Sequence, residues 1–248
     1  MLHDKTSGCM ISLSMPQRML GGMGIQEWEQ EQRRWVDQID LTNHFTIEDL
    51  GIVAGADTAY WTDSTGKEQG ACCIVAVDFH THDILETVTA TGLVEVEYVP
   101  SYLGFRELPL ILEAAKKLTC QPDLFMFDGN GYLHPRHMGI ATHASFYLNR
   151  PTLGVAKTYF SIDGITYIPP EDKVGSFSPI TDDTTVYGAA LRTHEKSKPV
   201  FVSCGNWIDL DTALDVTMSL VTPASRVPLP LREADLATHV RRRLLKAV

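Results

Sequence analysis

The chain has 248 residues, of which 44% are hydrophobic and 21% are charged. This length holds one α/β domain with a full core, or at most two small domains. The formal net charge of −10 argues against a general nucleic-acid coat protein, which would be basic. It does not exclude a nuclease. A bound cation offsets the negative charge of carboxylates that hold a metal, and binding of nucleic-acid phosphate then needs only a local cationic strip.

The sequence also excludes several protein classes. No segment approaches the roughly 18 apolar residues of a membrane span, and the N-terminus lacks the basic and apolar regions of a secretion signal. The five cysteines form an odd set without CxxC spacing, which predicts reduced, mostly buried thiols and neither a disulfide framework nor a zinc site. We therefore expect a cytoplasmic monomer without membrane association.

The N-terminal part divides into a tail and the start of a domain. Residues 1–24 contain methionines among Ser and Gly without a sustained period, which predicts a flexible tail. Residues 25–248 contain no linker or repeat and are predicted to form a single domain. Its first element is a charged, amphipathic helix at 25–39.

The central part predicts a three-stranded antiparallel meander. Its strands are apolar runs with short turns between them, at 52–60, 71–79 and 83–94. A helix follows, whose apolar positions from 105 to 118 share one face, with Pro109 in its first turn.

The remaining elements alternate between strands and helices. They are a strand at 123–128, a helix at 137–148, a strand at 152–156, strands near 185–191 and 200–203, and a helix near 210–221, for which Asp211 is the expected N-cap. A meander followed by alternating elements predicts an α/β fold. Its mixed β-sheet is flanked by helices on both faces, the layout of ribonuclease H-like nucleases.

Three acids stand where a metal site would be expected. Asp57 interrupts an otherwise apolar strand, where an isolated carboxylate is costly unless it is paired or binds a cation. Asp128 ends a strand immediately before Gly-Asn-Gly, at the edge where α/β sheets place their ligands. Glu107, expected in the first turn of the following helix, can complete a set of oxygen ligands suited to Mg²⁺. Capping or salt bridging also explains each acid, and the residue pattern leaves both interpretations open.

Five segments together are similar to the successive motifs of the endonuclease V family. They match in order and spacing, and they read GADTAY (55–60), YVPSYLGFRELP (98–109), FDGNGYLHPRHMGIATH (127–143), PTLGVAKTYF (151–160) and SCGNWIDLDTAL (203–214). The resemblance implies DNA repair by Mg²⁺-dependent cleavage near deaminated purines, with Mn²⁺ able to substitute. The expected cut is at the second phosphodiester bond 3′ to deoxyinosine, leaving a 3′-hydroxyl and a 5′-phosphate. Two alternatives stay open: an endonuclease specific for inosine-containing RNA, and a lesion-binding protein with weakened catalysis.

The resemblance also implies roles for single residues. Asp57 and Asp128 match the family's metal-binding aspartates, Glu107 its catalytic glutamate, which also serves the metal site, and Lys157 its active-site lysine. The segment that contains Tyr98, Pro100, Ser101 and Tyr102 matches a wedge that enters the duplex. The positions that match the lesion-binding region are Ser101, Leu103, Gly129, Gly131, Gly139 and Ile140.

Three further positions have less certain roles. His134 and Arg136 are candidates for contact with phosphate, with a loop-capping histidine as the alternative. Asn206 departs from the family pattern. Most family members have a histidine at this position, and the resemblance implies that this histidine lies near the metal site. Asparagine cannot carry a proton near neutral pH, which would affect the rate and the pH profile. The segment 226–248 carries six Arg and Lys against two acids and is either a phosphate-binding strip or a solvated helix end.

Overall fold

The computed structural model describes residues 24–246, and the predicted tail lies outside these residues apart from Gly24. One eight-stranded sheet runs through the described part of the chain in the order β3-β2-β1-β4-β5-β8-β7-β6. Its strands are β1 (Ile52–Thr62), β2 (Glu68–Asp78), β3 (Ile84–Leu93), β4 (Leu124–Phe127), β5 (Thr152–Ala156), β6 (Phe177–Thr181), β7 (Val186–Leu191) and β8 (Val200–Asn206). The helices are α1 (Ile25–Val36), α2 (Leu103–Ala115), α3 (Ile140–Leu148), α4 (Leu210–Ser219) and α5 (Leu229–Lys246).

The sheet is mixed, as predicted. The first three strands form the antiparallel meander, whereas β4 and β5 run parallel to β1 at its centre. The strands β8, β7 and β6 complete the other side with antiparallel pairing. The carboxyl ends of the three parallel strands therefore meet at one edge of the sheet, which we call the carboxyl edge.

Helices cover both faces of the sheet. On one face α1, α2 and α3 contribute to a core that contains Trp28, Phe105 and Ala144. On the other face α4 and α5 bury Leu214 and Leu231 against the sheet. This arrangement confirms the predicted α/β class with a ribonuclease H-like layout.

Helix α5 lies unusually close to β1. A Cβ atom added at Gly55 would stand 2.4 Å from the carbonyl carbon of Pro230. Because only glycine allows this approach, Gly55 brings the first turns of α5 against the strand that carries Asp57.

Several predicted details were wrong. Helix α2 begins at Leu103 and not at 105, because the chain turns at the N-cap Tyr102. Pro109 therefore lies inside the helix, and Glu107 lies in its second turn. Helix α4 is capped by Asp209, whose side chain accepts a hydrogen bond from the Thr212 backbone N–H at 2.8 Å, and not by Asp211.

Other boundaries also differ from the predictions. Helix α3 begins at Ile140 because residues 129–139 form a loop, and β8 extends to Asn206. Strand β6 was not predicted, because four of its five residues remain at least partly exposed and it lacks an apolar pattern.

The described cysteines are mostly buried, as predicted. Cys72, Cys73 and Cys204 are buried, Cys120 is partly buried, and all four are free thiols; Cys9 lies outside the described residues. Within residues 24–246, no helix has the length and apolar character needed to cross a bilayer.

Candidate active site

The carboxyl edge brings together the acids that the sequence singled out. Ala56 on β1 pairs with Phe127 on β4, so the next residues, Asp57 and Asp128, follow side by side on neighbouring parallel strands. Lys157 follows directly after β5, the next strand along the sheet. Three adjacent strands thus deliver two carboxylates and one ammonium group to the same edge.

Lys157 forms the central ion pair of this edge. Its Nζ lies 2.6 Å from Oδ2 of Asp128 and 3.5 Å from Oδ1 of Asp235 on α5. Partial burial lowers the pKa of Lys157, but the hydrogen bond and charge of Asp128 outweigh it, and the net pKa is raised. The lysine is therefore a charged counter-ion for the acids.

Asp57 is held by helix α5. Its Oδ2 accepts a hydrogen bond of 3.2 Å from the Thr238 hydroxyl. Burial, followed by the negative charge of Asp128, raises the pKa of Asp57 to about 6. The surroundings therefore disfavour the ionised form of Asp57 while its neighbours are also ionised.

Glu107 is a second carboxyl group whose pKa is raised. Its Oε1 accepts a hydrogen bond of 2.7 Å from the hydroxyl of Tyr60. Desolvation raises the pKa of Glu107 to about 8; the Tyr60 hydrogen bond opposes this shift, whereas the charges of Asp57 and Asp128 add to it. Placement in the second turn of α2 thus keeps Glu107 within electrostatic range of both aspartates.

The chemistry of these side chains fits a hard divalent cation. Carboxylate oxygens are the ligands that Mg²⁺ prefers, and a cation would offset the burial and the repulsion that raise these pKa values. Among residues 24–246, however, no three Asp, Glu, His or Cys side chains are arranged to hold a metal ion as they stand. Each acid has a partner of its own instead: Lys157 for Asp128, Tyr60 for Glu107 and Thr238 for Asp57.

A pocket opens beside these acids. It has a volume of about 130 Å³, comparable to the engineered cavity of about 150 Å³ that admits benzene. Its lining includes all the predicted lesion-binding glycines except Gly131, and consists of Tyr98, Ser101, Leu103, Gly104, Gly129, Asn130, His134, Met138, Gly139, Ile140 and Phe160. Gly131 lies just outside, where its backbone N–H donates to the Ser203 hydroxyl at 2.8 Å.

The loop that precedes α2 presents one aromatic ring to solvent. Tyr98 is 62% exposed and Pro100 is also exposed, as a wedge requires. Tyr102 differs from the expectation: it is buried, and its hydroxyl donates to Glu29 at 2.8 Å. Its ring packs 5.4 Å from that of Trp28, so Tyr102 supports the loop from below.

The Ser101 carbonyl anchors this loop. It accepts hydrogen bonds from Nε2 of Gln32 at 2.9 Å and from a guanidinium nitrogen of Arg136 at 3.1 Å, and Nε2 of His134 lies 3.0 Å away. These contacts hold Ser101 at a φ of 71°, in the left-handed region that non-glycine residues rarely adopt.

His134 takes the loop-capping alternative in this structure. Its Nδ1 accepts from the backbone N–H groups of Arg136 and Met138, while its other ring nitrogen contacts Ser101. Desolvation, with a smaller effect of the Arg136 charge, lowers the pKa of His134 to about 3. The imidazole is therefore neutral, and both of its ring nitrogens have hydrogen-bond partners.

Arg136 is also engaged inside the protein. Its guanidinium donates to the side chain of Gln32 at 2.6 Å and lies 4.6 Å from the ring centre of Tyr102. The structure therefore places both His134 and Arg136 beneath the loop, where they support it.

The expected position of Asn206 near the acids was wrong. Asn206 pairs with Thr152, the first residue of β5, whereas Lys157 follows the last residue of that strand. Five residues of a strand, at about 3.3 Å each, separate them by roughly 16 Å. Asn206 is fully buried and its Oδ1 accepts from the Asp40 backbone N–H at 2.8 Å, so it belongs to the opposite edge of the sheet.

Asp235 is the acid that sequence reasoning missed. It lies 3.5 Å from Lys157 through its Oδ1, and its charge contributes to the raised pKa of Asp57. A signal was present: Asp235 stands on α5 between Ala234 and Thr238, whose buried side chains mark the face toward the sheet. An acid beside the apolar stripe of a mostly basic helix was the available clue.

The cationic segment at the C-terminus is mostly a helix end. Arg226 donates to the backbone carbonyls of Lys198, Pro199 and Lys157 and is therefore structural. Arg243 and Lys246 occupy the last turn of α5, where cations interact favourably with the helix dipole.

Known proteins resemble this chain over most of its length. The family model described as Endonuclease V matches residues 33–236. Endonuclease V of Bacillus thuringiensis subsp. konkukian is 52% identical over 221 residues, which are 89% of this chain and 94% of the relative.

Two solved structures show the same fold. The endonuclease V structure from Bacillus subtilis has a TM-score of 0.88 and 47% identity, and the match covers 92% of this chain and 96% of that one. An endonuclease V from Ciona intestinalis, in complex with a 24mer DNA containing an inosine followed by a ribo-adenosine, has a TM-score of 0.78 and 26% identity, covering 89% and 98%. The chain therefore belongs to the endonuclease V family of hydrolases.

Proposed function

We propose that this chain is a Mg²⁺-dependent endonuclease that cleaves DNA containing deoxyinosine. It cuts the second phosphodiester bond 3′ to the lesion and leaves a 3′-hydroxyl and a 5′-phosphate. The observation that carries the proposal is that the same two segments line the pocket and supply the acids. Gly129 lines the pocket directly after Asp128, and Leu103 lines it one turn before Glu107 on α2.

This continuity supports a pocket that lies beside the acids proposed to act in cleavage. A base has to leave the duplex before it can enter a concave pocket, which costs a few kcal/mol. The exposed Tyr98 lines the pocket, and the exposed Pro100 follows it on a loop that three side chains hold at Ser101. A rigid apolar tip of this kind offsets part of that cost by occupying the vacated space.

The acids of the carboxyl edge would hold the metal. Asp57 and Asp128, with Glu107, are the residues proposed to bind Mg²⁺, and Mn²⁺ presents the same preference for oxygen ligands. Bound Mg²⁺ supplies charge neutralisation at a phosphate oxygen and a more acidic water.

The remaining side chains position and balance charge. Lys157 is placed to neutralise negative charge that develops on the phosphate, and Asp235 orients its ammonium group through the 3.5 Å contact. Thr238 holds the carboxylate of Asp57 through its hydroxyl. Tyr60 holds Glu107 through the hydrogen bond that its hydroxyl donates.

The test is incubation with Mg²⁺ and matched strands that carry one deoxyinosine, one inosine in RNA, or the corresponding adenine. Products are sized at nucleotide resolution, and EDTA and Asp128→Asn serve as controls. We expect one cut in the deoxyinosine strand at the second bond 3′ to the lesion. Cleavage of the RNA strand alone would make the chain an endoribonuclease, and tight binding without any cut in Mg²⁺ or Mn²⁺ would make it a lesion-binding protein.

A further inference from the structure

One face of helix α5 carries positive charge without acids. His239, Arg242 and Lys246 follow Asp235 at intervals of four, three and four residues, a spacing that places all four on one face of a helix. We call His239, Arg242 and Lys246 the α5 stripe. No Asp or Glu follows Asp235 in the chain, although the formal net charge is −10. The last three turns of α5 therefore carry only positive charge in an acidic protein.

The α5 stripe begins at the carboxyl edge. Oδ1 of Asp235 lies 3.5 Å from Nζ of Lys157 and 3.7 Å from Nε2 of His239. The guanidinium of Arg242, which can only donate, gives a hydrogen bond of 2.8 Å to Nδ1 of His239. A series of polar contacts thus leads from Lys157 onto the stripe.

Helix α5 advances toward the carboxyl edge as it follows β1. Its first turn packs against Gly55, whereas Thr238, two turns later, donates to Asp57. Strand β4 has already ended at this level, because its last residue, Phe127, pairs with Ala56. The α5 stripe, which follows Thr238, therefore lies past the end of β4 and borders the space that a substrate strand must enter to reach Asp57.

The two permanent cations of the stripe have no acidic partner. Arg242 is partly exposed and Lys246 is exposed, and neither forms an ion pair within residues 24–246. Cations on α1 and at the end of α2 do pair with nearby acids, as in Arg33–Glu29, Arg34–Glu31 and Lys116–Glu113. The charge of the stripe is therefore available to an anion.

The length of the stripe fits the backbone of a nucleic-acid strand. We propose that Arg242 and Lys246 bind phosphates of the strand that enters the active site, with His239 positioning the guanidinium. The two cations stand roughly 10 and 16 Å beyond Asp235 along the helix. Phosphates repeat about every 3.4 Å along each strand of a duplex, so one strand can supply both contacts. The inference deepens the proposed function and rests on it.

The helix dipole offers a competing explanation for the same cations. Positive charges in a last turn interact favourably with the dipole, which requires no ligand and acts on folding alone. A phosphate contact instead releases counterions from DNA, so it makes the affinity fall more steeply as salt increases. The salt dependence of binding therefore separates the two explanations.

The test measures this salt dependence. Binding to duplexes that carry one deoxyinosine or the corresponding adenine is followed by fluorescence anisotropy, in a fixed concentration of Ca²⁺, while KCl is raised from about 50 to 200 mM. For Arg242→Gln/Lys246→Gln, the slope of log affinity against log salt should become shallower by about 0.9 for each lost contact. Both duplexes should be weakened by the same factor, because phosphate contacts carry no sequence information.

Two further variants control for charge. Arg241→Gln/Lys116→Gln also removes two cations and should leave the slope unchanged. Arg241 lines the groove between α5 and the strands β2 and β3, away from the stripe, and Lys116 follows α2 on the other face of the sheet. Arg242→Lys/Lys246→Arg keeps both charges of the stripe and should retain the natural slope.

The slopes decide whether the stripe binds phosphate. An unchanged slope in Arg242→Gln/Lys246→Gln, folded by circular dichroism, overturns the proposal, and a lower melting temperature would then assign both cations to the helix dipole. An equal change of slope in the control pair overturns it as well. If the double variant does not fold, Lys246→Gln alone is measured in the same way and decides the question. A natural chain that binds both duplexes equally would instead overturn the proposed function, while the comparison of slopes would still test the stripe.

Discussion

The two edges of the central sheet use similar residues in opposite ways. At the carboxyl edge the pKa values of Asp57 and Glu107 are raised, to about 6 and about 8, chiefly by desolvation. At the opposite edge Asp40 lies beside Asn206, and hydrogen bonds from Thr42 and His44 lower its pKa to about 2. At the carboxyl edge the surroundings disfavour the charged form of the acids, whereas at the opposite edge hydrogen bonds favour the charged form of Asp40.

This difference separates a site built for a ligand from one built for folding. A structural acid receives hydrogen bonds that favour its charged form. An acid that waits for a cation is surrounded by other acids, and its charged form is disfavoured until the cation binds. The direction of the pKa shift thus favours the carboxyl edge as the ligand-binding edge, although both edges contain aspartate, asparagine and buried strands.

The largest expected effect is the loss of an acid at the carboxyl edge. Asp128→Asn should lower the rate of deoxyinosine cleavage by at least about 10²–10³-fold, because it removes a proposed metal ligand and the partner of Lys157. Single-turnover cleavage in Mg²⁺ measures the rate, and circular dichroism confirms the fold. A variant within a few-fold of the natural rate would remove Asp128 from the site.

The next effect concerns the counter-ion. Lys157→Met should slow cleavage by about 10²-fold, because the developing phosphate charge loses its ammonium partner. It should also tighten Mn²⁺ binding, since Lys157 no longer competes for Asp128. Calorimetric titration measures the affinity for Mn²⁺ separately from the cleavage rate. Weaker metal binding in this variant would contradict the counter-ion role.

The raised pKa of Glu107 predicts how the metal-free protein responds to pH. Between about 4.5 and 8 the folded state binds a proton that the unfolded state has released. The free energy of unfolding should therefore fall as pH rises through this range. Thermal melts in EDTA from pH 5 to 8.5 should show this decline in the natural chain and a smaller one in Glu107→Gln. Parallel curves for the two proteins would show that Glu107 ionises normally.

Much of the site could be predicted from sequence, because it depends on local order. Asp57 and Asp128 sit where apolar strands are interrupted or end, and the strand register then places them side by side. The locations of Asn206 and Asp235 relative to the acids could not be predicted in this way. They depend on the direction of β8 and on how closely α5 approaches β1. The antiparallel pairing of β8 carries Asn206 away from the acids, and the packing at Gly55 carries Asp235 toward them. Such long-range placement leaves no periodic signal in the chain.

The smallest effect on cleavage is expected at the opposite edge. Asn206→His should lower stability by about 1–3 kcal/mol, because a larger ring must fit a fully buried position. It should leave the pH profile of cleavage without a new titration, since this residue does not reach the acids. Cleavage rates between pH 5.5 and 8.5, compared with those of the natural chain, provide the measurement; a new inflection near pH 6.5 would restore Asn206 to the active site.

Metal binding itself tests the contrast between the edges most directly. Free Mn²⁺ is followed by electron paramagnetic resonance while it is titrated into the natural chain, into Asp57→Asn/Asp128→Asn, and into Asn206→Ala. The account predicts binding by the natural chain and by Asn206→Ala, and its loss in the double variant. Undiminished Mn²⁺ binding after both carboxyl-edge aspartates are removed would contradict it.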